Sequence, residues 1–214
     1  AVGGGYGNIS GLGVDRIAGY GRRFGLAAPT GIDLPTERAG FLPSKEWKER
    51  TKKEKWYIGD TYNVSIGQGD VLVTPLQIAT MTGAVANDGT VYRPHLVRAT
   101  IDSVSGKRQE IPPEIDRETE IDKNNLRIVQ TGMRDCVVSG SCRRLASVPI
   151  AVAGKTGTAQ WNSFKENHAW FTSFAPAESP EIVVTILIEE GGEGSRTAVP
   201  IADAFYRWWA ARQL

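Results

Sequence analysis

The chain has 214 residues, of which 41% are hydrophobic, and its 25 basic and 24 acidic residues leave a formal net charge of +1. This length allows one domain with a sizeable core, and the balanced charge gives no general argument for binding nucleic acid or an anionic membrane surface. No stretch approaches the ~18 apolar residues of a membrane span. Because the chain opens on Ala1 and a glycine-rich segment, we expect that its true beginning has been removed.

The first third of the chain predicts two helices separated by an ordered loop. Apolar residues recur at helical spacing over residues 13–24 and predict a helix that Gly25 ends. Residues 25–43 contain three prolines and show no period, which indicates a loop. Thr74-Pro75-Leu76-Gln77 supplies an N-cap, a proline at the first helical position and a capping glutamine, so a second helix is predicted to run to about Ala86.

Two segments between these helices each have two interpretations. Residues 45–55 are charge-dense, with Trp47 and Trp56 at the ends of the segment. This fits a basic patch for an anionic polymer or, more commonly, a solvated helix or loop face held down by the two tryptophans. Residues 66–69 place Gln68 between two glycines. Such a segment lets backbone approach a ligand closely, or it forms a structural turn beneath a cleft.

The middle of the chain predicts a peripheral hairpin and then a helix. Residues 91–112 alternate weakly around a turn at Ser105-Gly106. Apolar residues recur at helical spacing between Leu126 and Val137, and Gly140 is expected to end that helix.

The last third of the chain predicts a sheet and a closing helix. Three apolar segments, residues 150–160, 169–175 and 181–189, have strand character, and their short connections imply an antiparallel meander. Residues 198–212 carry an apolar stripe at helical spacing. The fold class is therefore α/β.

The two cysteines, Cys136 and Cys142, are separated by five residues that include Gly140. No histidine lies near them in the sequence, so neither a zinc site nor any other metal or cofactor site is expected. The spacing is compatible with two ordinary thiols and with one disulfide that closes a loop. The sequence leaves this choice open.

The end of the first predicted strand carries Lys155-Thr156-Gly157-Thr158, the most informative feature of the chain. The lysine supplies a fixed cation and the threonines supply hydroxyl donors. The glycine removes the side chain that would keep a ligand away from the backbone. Together they predict a strand edge that holds a peptide bearing a carboxylate.

This segment, the strands after it and the closing helix resemble the transpeptidase domain of penicillin-binding proteins, whose third active-site motif is Lys-Thr-Gly on a sheet edge. The elongation-type monofunctional (class B) enzymes are most similar. Further segments match in order: Phe24-Gly25, Thr30-Gly31-Ile32-Asp33-Leu34-Pro35, Glu46-Trp47-Lys48, Trp56, Gly59-Asp60-Thr61, Ile66-Gly67-Gln68-Gly69 and Thr74-Pro75-Leu76-Gln77. The resemblance implies a β-lactamase/transpeptidase-like fold, with an antiparallel sheet flanked by helices on both faces. Residues 1–214 would form the C-terminal part of that domain, without its N-terminal portion.

The resemblance also implies a chemistry and a set of residues. In the family a serine attacks the D-Ala-D-Ala end of a peptidoglycan stem peptide, and an amine of another stem resolves the acyl-enzyme. The backbone N–H of Thr158 would be an oxyanion donor, and the hydroxyls of Thr156 and Thr158 would face the terminal carboxylate together with Lys155. Lys155 and Thr158 are thus the catalytic candidates, and Thr156, Gly157 and Gln68 are the substrate-binding candidates.

Two family motifs are absent from the chain. No serine is followed three residues later by lysine, and none is followed two residues later by asparagine. The nucleophile is therefore unknown and is expected outside this chain, which should not become acylated by itself. The resemblance implies stem peptides, β-lactams and cell-wall synthesis proteins as partners, no nucleic acid, and a location at the outer face of the bacterial inner membrane, reached through an absent N-terminal anchor.

Three alternatives of the same fold remain: a β-lactam-sensing module, a non-catalytic binding scaffold and a serine β-lactamase. The β-lactamase alternative depends on Tyr6-Gly7-Asn8, which has the Tyr-x-Asn form that some β-lactamases carry. His168 could act as a base, although its place at the start of a strand favours a packing or surface role. Trp161 could line the cleft beyond the strand or serve as a packing anchor.

Overall fold

The computed structural model describes residues 3–212, which form six α-helices and seven β-strands. In chain order these are α1 (Gly13–Arg23), α2 (Lys45–Lys52), α3 (Ile58–Ser65), α4 (Pro75–Ala86), β1 (Thr90–Arg93), β2 (Ala99–Ile101), β3 (Arg108–Glu110), β4 (Glu114–Glu118), α5 (Lys123–Val138), β5 (Ala153–Ala159), β6 (His168–Ala175), β7 (Ile182–Ile188) and α6 (Gly194–Ala210). A 3-10 helix, Arg143–Ser147, follows α5.

The central sheet has the order β5-β6-β7, and both strand pairs are antiparallel. The predicted meander is therefore confirmed. Since β5 pairs only with β6 in this sheet, one of its edges is open to the rest of the molecule. In the register of the β5–β6 pair, Lys155 lies opposite Thr172 and Gly157 lies opposite Trp170.

Helices cover both faces of this sheet, as predicted. On one face the Oγ1 of Thr172 lies 2.8 Å from the Oγ1 of Thr82 in α4. On the other face the buried side chain of Phe171 belongs to the main core cluster with Val199 and Ala202 of α6. Because successive side chains of a strand point to opposite faces, Lys155 lies on the α4 face and Thr156 on the α6 face.

Tyr206 of α6 is fully buried in the main core cluster. Its hydroxyl lies 2.8 Å from the Oγ of Ser173, so the polar end of the ring keeps a partner inside the core. Burial raises the pKa of this phenol to about 12. The tyrosine therefore stays neutral throughout the pH range in which proteins are normally studied.

Helix α6 begins four residues earlier than predicted, at Gly194. This glycine is buried against the β5–β6 pair, where a Cβ would collide with the carbonyl oxygen of Trp170 and would come within 2.6 Å of that of Gly157. Only glycine allows the helix to start so close to the sheet. The apolar stripe that predicts this helix begins only at residue 198, and glycine is usually a helix breaker, so the pattern does not predict the earlier start.

Helix α3 and the strand pair β1–β4 also differ from the sequence prediction. Helix α3 was not predicted, although its first turn is closed by a hydrogen bond from the backbone N–H of Tyr57 to the Asp60 carboxylate (2.7 Å). The predicted hairpin is the pair β2–β3, and it is nested inside a second pair, β1–β4, that joins Thr90 to Glu118. The outer pair was missed because its strands are far apart in sequence.

Cys136 and Cys142 form a disulfide that closes the end of α5. Cys142 is fully buried in the main core cluster, and its backbone N–H also donates to the carbonyl of Cys136 (2.9 Å). The choice that the sequence left open is thus decided in favour of the disulfide. Separately, none of the helices within residues 3–212 is long and apolar enough to cross a bilayer.

Candidate active-site cleft

A cleft of about 720 Å³ lies between the β5–β6 end of the sheet and the segment that follows α3. This volume suits a small molecule or a short peptide. The lining includes the whole predicted motif together with Gln68, Trp161, His168 and Met81 of α4. The structure therefore brings all five candidate residues from the sequence into one site.

The open edge of β5 forms one wall of the cleft and presents its backbone outward. The carbonyl of Thr158 accepts a hydrogen bond from Nε2 of Gln68 (3.0 Å), and the N–H of Gln160 donates to Oε1 of the same amide (3.2 Å). In an antiparallel strand the N–H and C=O of one residue point to the same edge. The N–H of Thr158 therefore also points away from β6, toward the cleft.

The side-chain amide of Gln68 forms hydrogen bonds with this edge like those that a peptide group of an added strand would form. Gln68 lies between Gly67 and Gly69, both of which have positive φ (73° and 75°), a conformation that favours glycine. Its own N–H bonds to the carbonyl of Asn63 at the end of α3 (2.9 Å). Both ends of the Gln68 amide are thus engaged by β5, which places the residue at the cleft as a support of the strand edge.

Lys155 is exposed on the α4 face of β5, beside Thr172. Its Nζ donates to the carbonyl of Thr156 and so lies along the open edge. Gly157 is on the same face, and a Cβ added there would meet the Cβ of Trp170 at 3.1 Å. The missing side chain leaves the surface next to the lysine open.

Thr156 makes a contact that the sequence did not predict. Its Oγ1 lies 2.7 Å from the Oγ of Ser141, in the loop that the disulfide closes. The two residues are 15 positions apart, and Ser141 stands outside every predicted element. The sequence could have indicated that this loop lies near β5 only if the disulfide pairing had been known.

The segment that carries Gln68 is preceded by a partly buried ion pair between α2 and α3. Nζ of Lys48 lies 2.7 Å from the Asp60 carboxylate, and only 7% of Lys48 is exposed. The hydrogen bond between them is the main reason that the pKa of Asp60 is lowered and that of Lys48 is raised. Trp56 adds a hydrogen bond from Nε1 to Oγ1 of Thr61 in α3 (2.8 Å).

The charge-dense segment agrees with the second interpretation of its sequence, because most of residues 45–55 are exposed while Trp47 and Trp56 are partly buried. Phe41 and Trp47 pack with ring centroids 4.8 Å apart, and Lys48 between the flanking tryptophans points inward. Lys48 is the exception to that interpretation, because it anchors the centre of α2 instead of facing solvent. This local structure anchors the first half of α3, the helix that leads to Gln68.

Trp161 and His168 stack at the mouth of the cleft, with ring centroids 5.1 Å apart and planes 13° from parallel. Nδ1 of His168 accepts the N–H of Glu190 (3.0 Å), so this nitrogen is not free to take a proton from a substrate. The packing role predicted for the histidine agrees with these contacts. Trp161 keeps 48% of its surface exposed and both lines the cleft and packs on the histidine.

The residues of the alternative Tyr6-Gly7-Asn8 motif line a separate depression formed by residues 4–10. Tyr6 is 80% exposed and turns back toward Ile9 through paired backbone hydrogen bonds of 3.0 Å. Within the described residues, no serine lines the main cleft. The hydroxyls that line the cleft in this part of the chain are those of threonines, among them Thr156 and Thr158.

Residues 9–207 match the family model described as the penicillin-binding protein transpeptidase domain. Among curated proteins, the chain is 37% identical to peptidoglycan D,D-transpeptidase MrdA of Haemophilus influenzae over 225 aligned residues, which cover 95% of this chain and 34% of that protein. The chain therefore spans about a third of the length of this relative.

Solved structures show the same similarity. The chain has a TM-score of 0.79 to PBP2 of Pseudomonas aeruginosa in complex with WCK 5153, at 37% identity, covering 92% of this chain and 44% of the other. For the complex between PBP2 and MreC from Helicobacter pylori the TM-score is 0.78 at 30% identity, with coverage of 94% and 36%. These values extend the similarity from sequence to three-dimensional fold.

Proposed function

Since the chain belongs to the penicillin-binding protein transpeptidase family, we propose that it forms the substrate-side part of a peptidoglycan D,D-transpeptidase. The observation that carries the proposal is the open edge of β5, which forms a cleft wall and presents Lys155, Thr156 and Thr158 along it. The attacking serine has no candidate in these 214 residues, so the proposal assigns it to sequence outside them.

The substrate in this proposal is a stem peptide that ends in D-Ala-D-Ala and lies along β5 as an added antiparallel strand. Main-chain hydrogen bonds give affinity in this mode of binding, and the pairing of the Gln68 amide with Thr158 and Gln160 supports it, because the edge already holds a peptide-like group. The terminal carboxylate would be held by the hydroxyls of Thr156 and Thr158 in the field of Lys155.

The chemistry assigned to the chain is stabilisation of charge. The outward N–H of Thr158 would donate to the oxygen that becomes negative when serine attacks the carbonyl. The Lys155 ammonium would stabilise negative charge on the substrate and favour proton transfer at a serine or lysine brought in by the rest of the domain. Gln68 would keep Thr158 in place while the substrate binds.

Residues 1–214 are proposed to be the C-terminal part of the transpeptidase domain. We place this part on the outer side of the bacterial inner membrane, because its disulfide is of the kind that persists in oxidising compartments. By analogy with the relative whose structure includes MreC, the partners are proposed to be proteins of cell-wall synthesis. β-Lactams would bind as mimics of the stem-peptide end.

The test uses the full-length protein with labelled benzylpenicillin and with a stem peptide that ends in D-Ala-D-Ala. The proposal expects a covalent penicillin adduct, release of D-alanine, and a cross-linked product when an acceptor stem is present. An adduct without cross-linking would favour the sensing alternative, and rapid penicillin hydrolysis would favour the β-lactamase. Absence of any adduct would contradict the transpeptidase, the sensing module and the β-lactamase alike. The non-catalytic binding scaffold would then be the remaining alternative.

A further inference from the structure

The loop that the disulfide closes places one hydroxyl against Thr156, one of the residues proposed to bind the carboxylate of the substrate. Ser141 is exposed, and its Oγ lies 2.7 Å from Oγ1 of Thr156. The next residue, Cys142, is fully buried in the main core cluster and bonded to Cys136 at the end of α5. A covalent bond and the core therefore fix the backbone immediately beside Ser141.

The backbone of this loop leaves it little freedom. The N–H of Cys142 donates to the carbonyl of Cys136 (2.9 Å), and the N–H of Gly140 donates to the carbonyl of Asp135 (3.1 Å). A Cβ added to Gly140 would meet Cα of Cys136 at 2.9 Å, so the tight path needs glycine. The position of the Ser141 backbone is thus defined by its loop.

The chemistry of the neighbours determines where the hydroxyl hydrogen of Ser141 points. Its nearby acceptors are Oγ1 of Thr156 and the two disulfide sulfurs, Sγ of Cys136 at 3.4 Å and Sγ of Cys142 at 4.0 Å. A disulfide sulfur carries no hydrogen and is a weak acceptor, whereas a hydroxyl oxygen is a good one. Donation to Thr156 is therefore favoured, and the hydrogen of the Thr156 hydroxyl is then free to point into the cleft.

We propose that Ser141 is a positioning residue that orients the Thr156 hydroxyl as a hydrogen-bond donor to the carboxylate of the substrate, and that the Cys136–Cys142 disulfide holds it there. The inference rests on the proposed function, because it needs a substrate whose carboxylate meets Thr156. Ser141 acts through Thr156 and takes no part in the bond changes of the reaction.

The experiment compares acylation of the full-length protein by benzylpenicillin, which has a free carboxylate, and by its methyl ester, which has none. Ser141→Ala is expected to lower the acylation efficiency of benzylpenicillin about tenfold, because a donor to a charged group is no longer oriented. The methyl ester should react within about twofold of its wild-type rate. Ser141→Thr, which restores a hydroxyl, should recover the preference for the acid.

Ser139→Ala is the matched control, because this hydroxyl belongs to the same loop but contacts the helix carbonyl of Asp135 (3.3 Å). It should leave both rates unchanged. Cys136→Ala removes the disulfide without emptying the core position of Cys142, and it should reduce the preference for the acid in the same direction as Ser141→Ala. A wild-type preference in Cys136→Ala would overturn the role of the disulfide.

The outcomes separate the two proposals. Equal losses for the acid and the ester in Ser141→Ala, or no loss for either, would overturn the positioning role while the wild-type adduct still supports the transpeptidase. No adduct in the wild type would overturn the proposed function itself. A thermal melt of each variant shows whether a loss comes from unfolding, which would lower both rates together.

Discussion

Lys155 carries the positive charge of the proposed carboxylate-binding site, and its surroundings suit that role. The side chain is exposed on the open edge of β5, where its Nζ follows the strand toward Thr156. A cation fixed next to developing negative charge stabilises a transition state more than it stabilises the free substrate. The lysine is therefore expected to affect acylation more than folding.

We predict that Lys155→Ala in the full-length protein lowers the rate of acylation by penicillin by at least about 100-fold, since a positioned charge is lost. The measurement is the rate of labelled-penicillin incorporation, with a thermal melt to show that the fold is intact. Lys107→Ala, on the distant β2–β3 turn, is the matched control and should react at the wild-type rate. Wild-type acylation by Lys155→Ala would disprove the assignment.

Gly157 matters to the proposed binding edge because it has no side chain. Its missing side chain leaves the α4 face of β5 open, and a Cβ at this position would already press on Trp170 at 3.1 Å. We predict that Gly157→Val lowers penicillin acylation roughly 100-fold or more, because a displacement of about 1 Å at a reacting site has effects of that size.

The matched control for Gly157→Val is Gly132→Val on the exposed side of α5, where an added Cβ meets nothing within 4 Å. Both variants should be compared in acylation and in thermal melts of the full-length protein. The prediction fails if Gly157→Val reacts as fast as Gly132→Val. A large loss of stability confined to Gly157→Val would instead identify the glycine as a requirement of folding.

At the scale of elements, the α2–α3 ion pair anchors the first half of α3, the helix that leads to Gln68, and makes this unit sensitive to pH. Lys48 lowers the pKa of Asp60 through a direct hydrogen bond. A carboxyl whose pKa is lower in the folded protein than its ordinary value of 3.8 stabilises the fold above that pH. This contribution is lost as the pH falls below about 3.8 through the folded pKa.

We therefore predict that the melting temperature of the wild type falls more steeply between pH 5 and about pH 2 than that of Asp60→Asn, which cannot titrate. Melts of both proteins across this range provide the measurement. Asp116→Asn, whose carboxylate pairs with neighbouring Arg117 on the surface, is the control and should follow the wild type. Parallel curves for wild type and Asp60→Asn would contradict the proposed coupling.

Local signals predicted part of this architecture and missed the rest for physical reasons. The capping box at Thr74 correctly placed the start of α4, because both of its hydrogen bonds form within one turn (2.9 and 3.1 Å). Helix α3 has only eight residues and includes Gly59, so its propensity is weak and its stability comes from the Lys48 ion pair and other contacts outside it. Its existence depends on tertiary structure.

The candidate site likewise contains residues that local sequence signals predict and a residue that depends on tertiary structure. Lys155, Thr156, Gly157, Thr158 and Gln68 were found because motifs are local, and the structure gathers them around one cleft. Ser141 was missed because its contact with Thr156 depends on a disulfide that the sequence left open. Which edge of β5 is open likewise follows from strand order, which is a property of the whole sheet.

At the scale of the whole molecule, a three-stranded sheet is enclosed by helices on both faces, and its free edge opens into the cleft. Two contacts support this edge. The first residue of α6, Gly194, packs against β5 and β6, and the Gln68 side-chain amide bonds to the free edge of β5. The architecture thus leaves one edge of β5 without a neighbouring strand, as binding of a peptide by strand addition requires. The central claim is that this edge receives the carboxylate end of the substrate.

The most direct test is a crystal structure of the full-length protein acylated by benzylpenicillin. The account predicts that the acyl carbonyl oxygen lies about 3 Å from the backbone nitrogen of Thr158. It also predicts that the penicillin carboxylate contacts the hydroxyls of Thr156 and Thr158 along β5. An adduct whose carboxylate lies away from this edge, or whose carbonyl oxygen is bound by other donors, would contradict it.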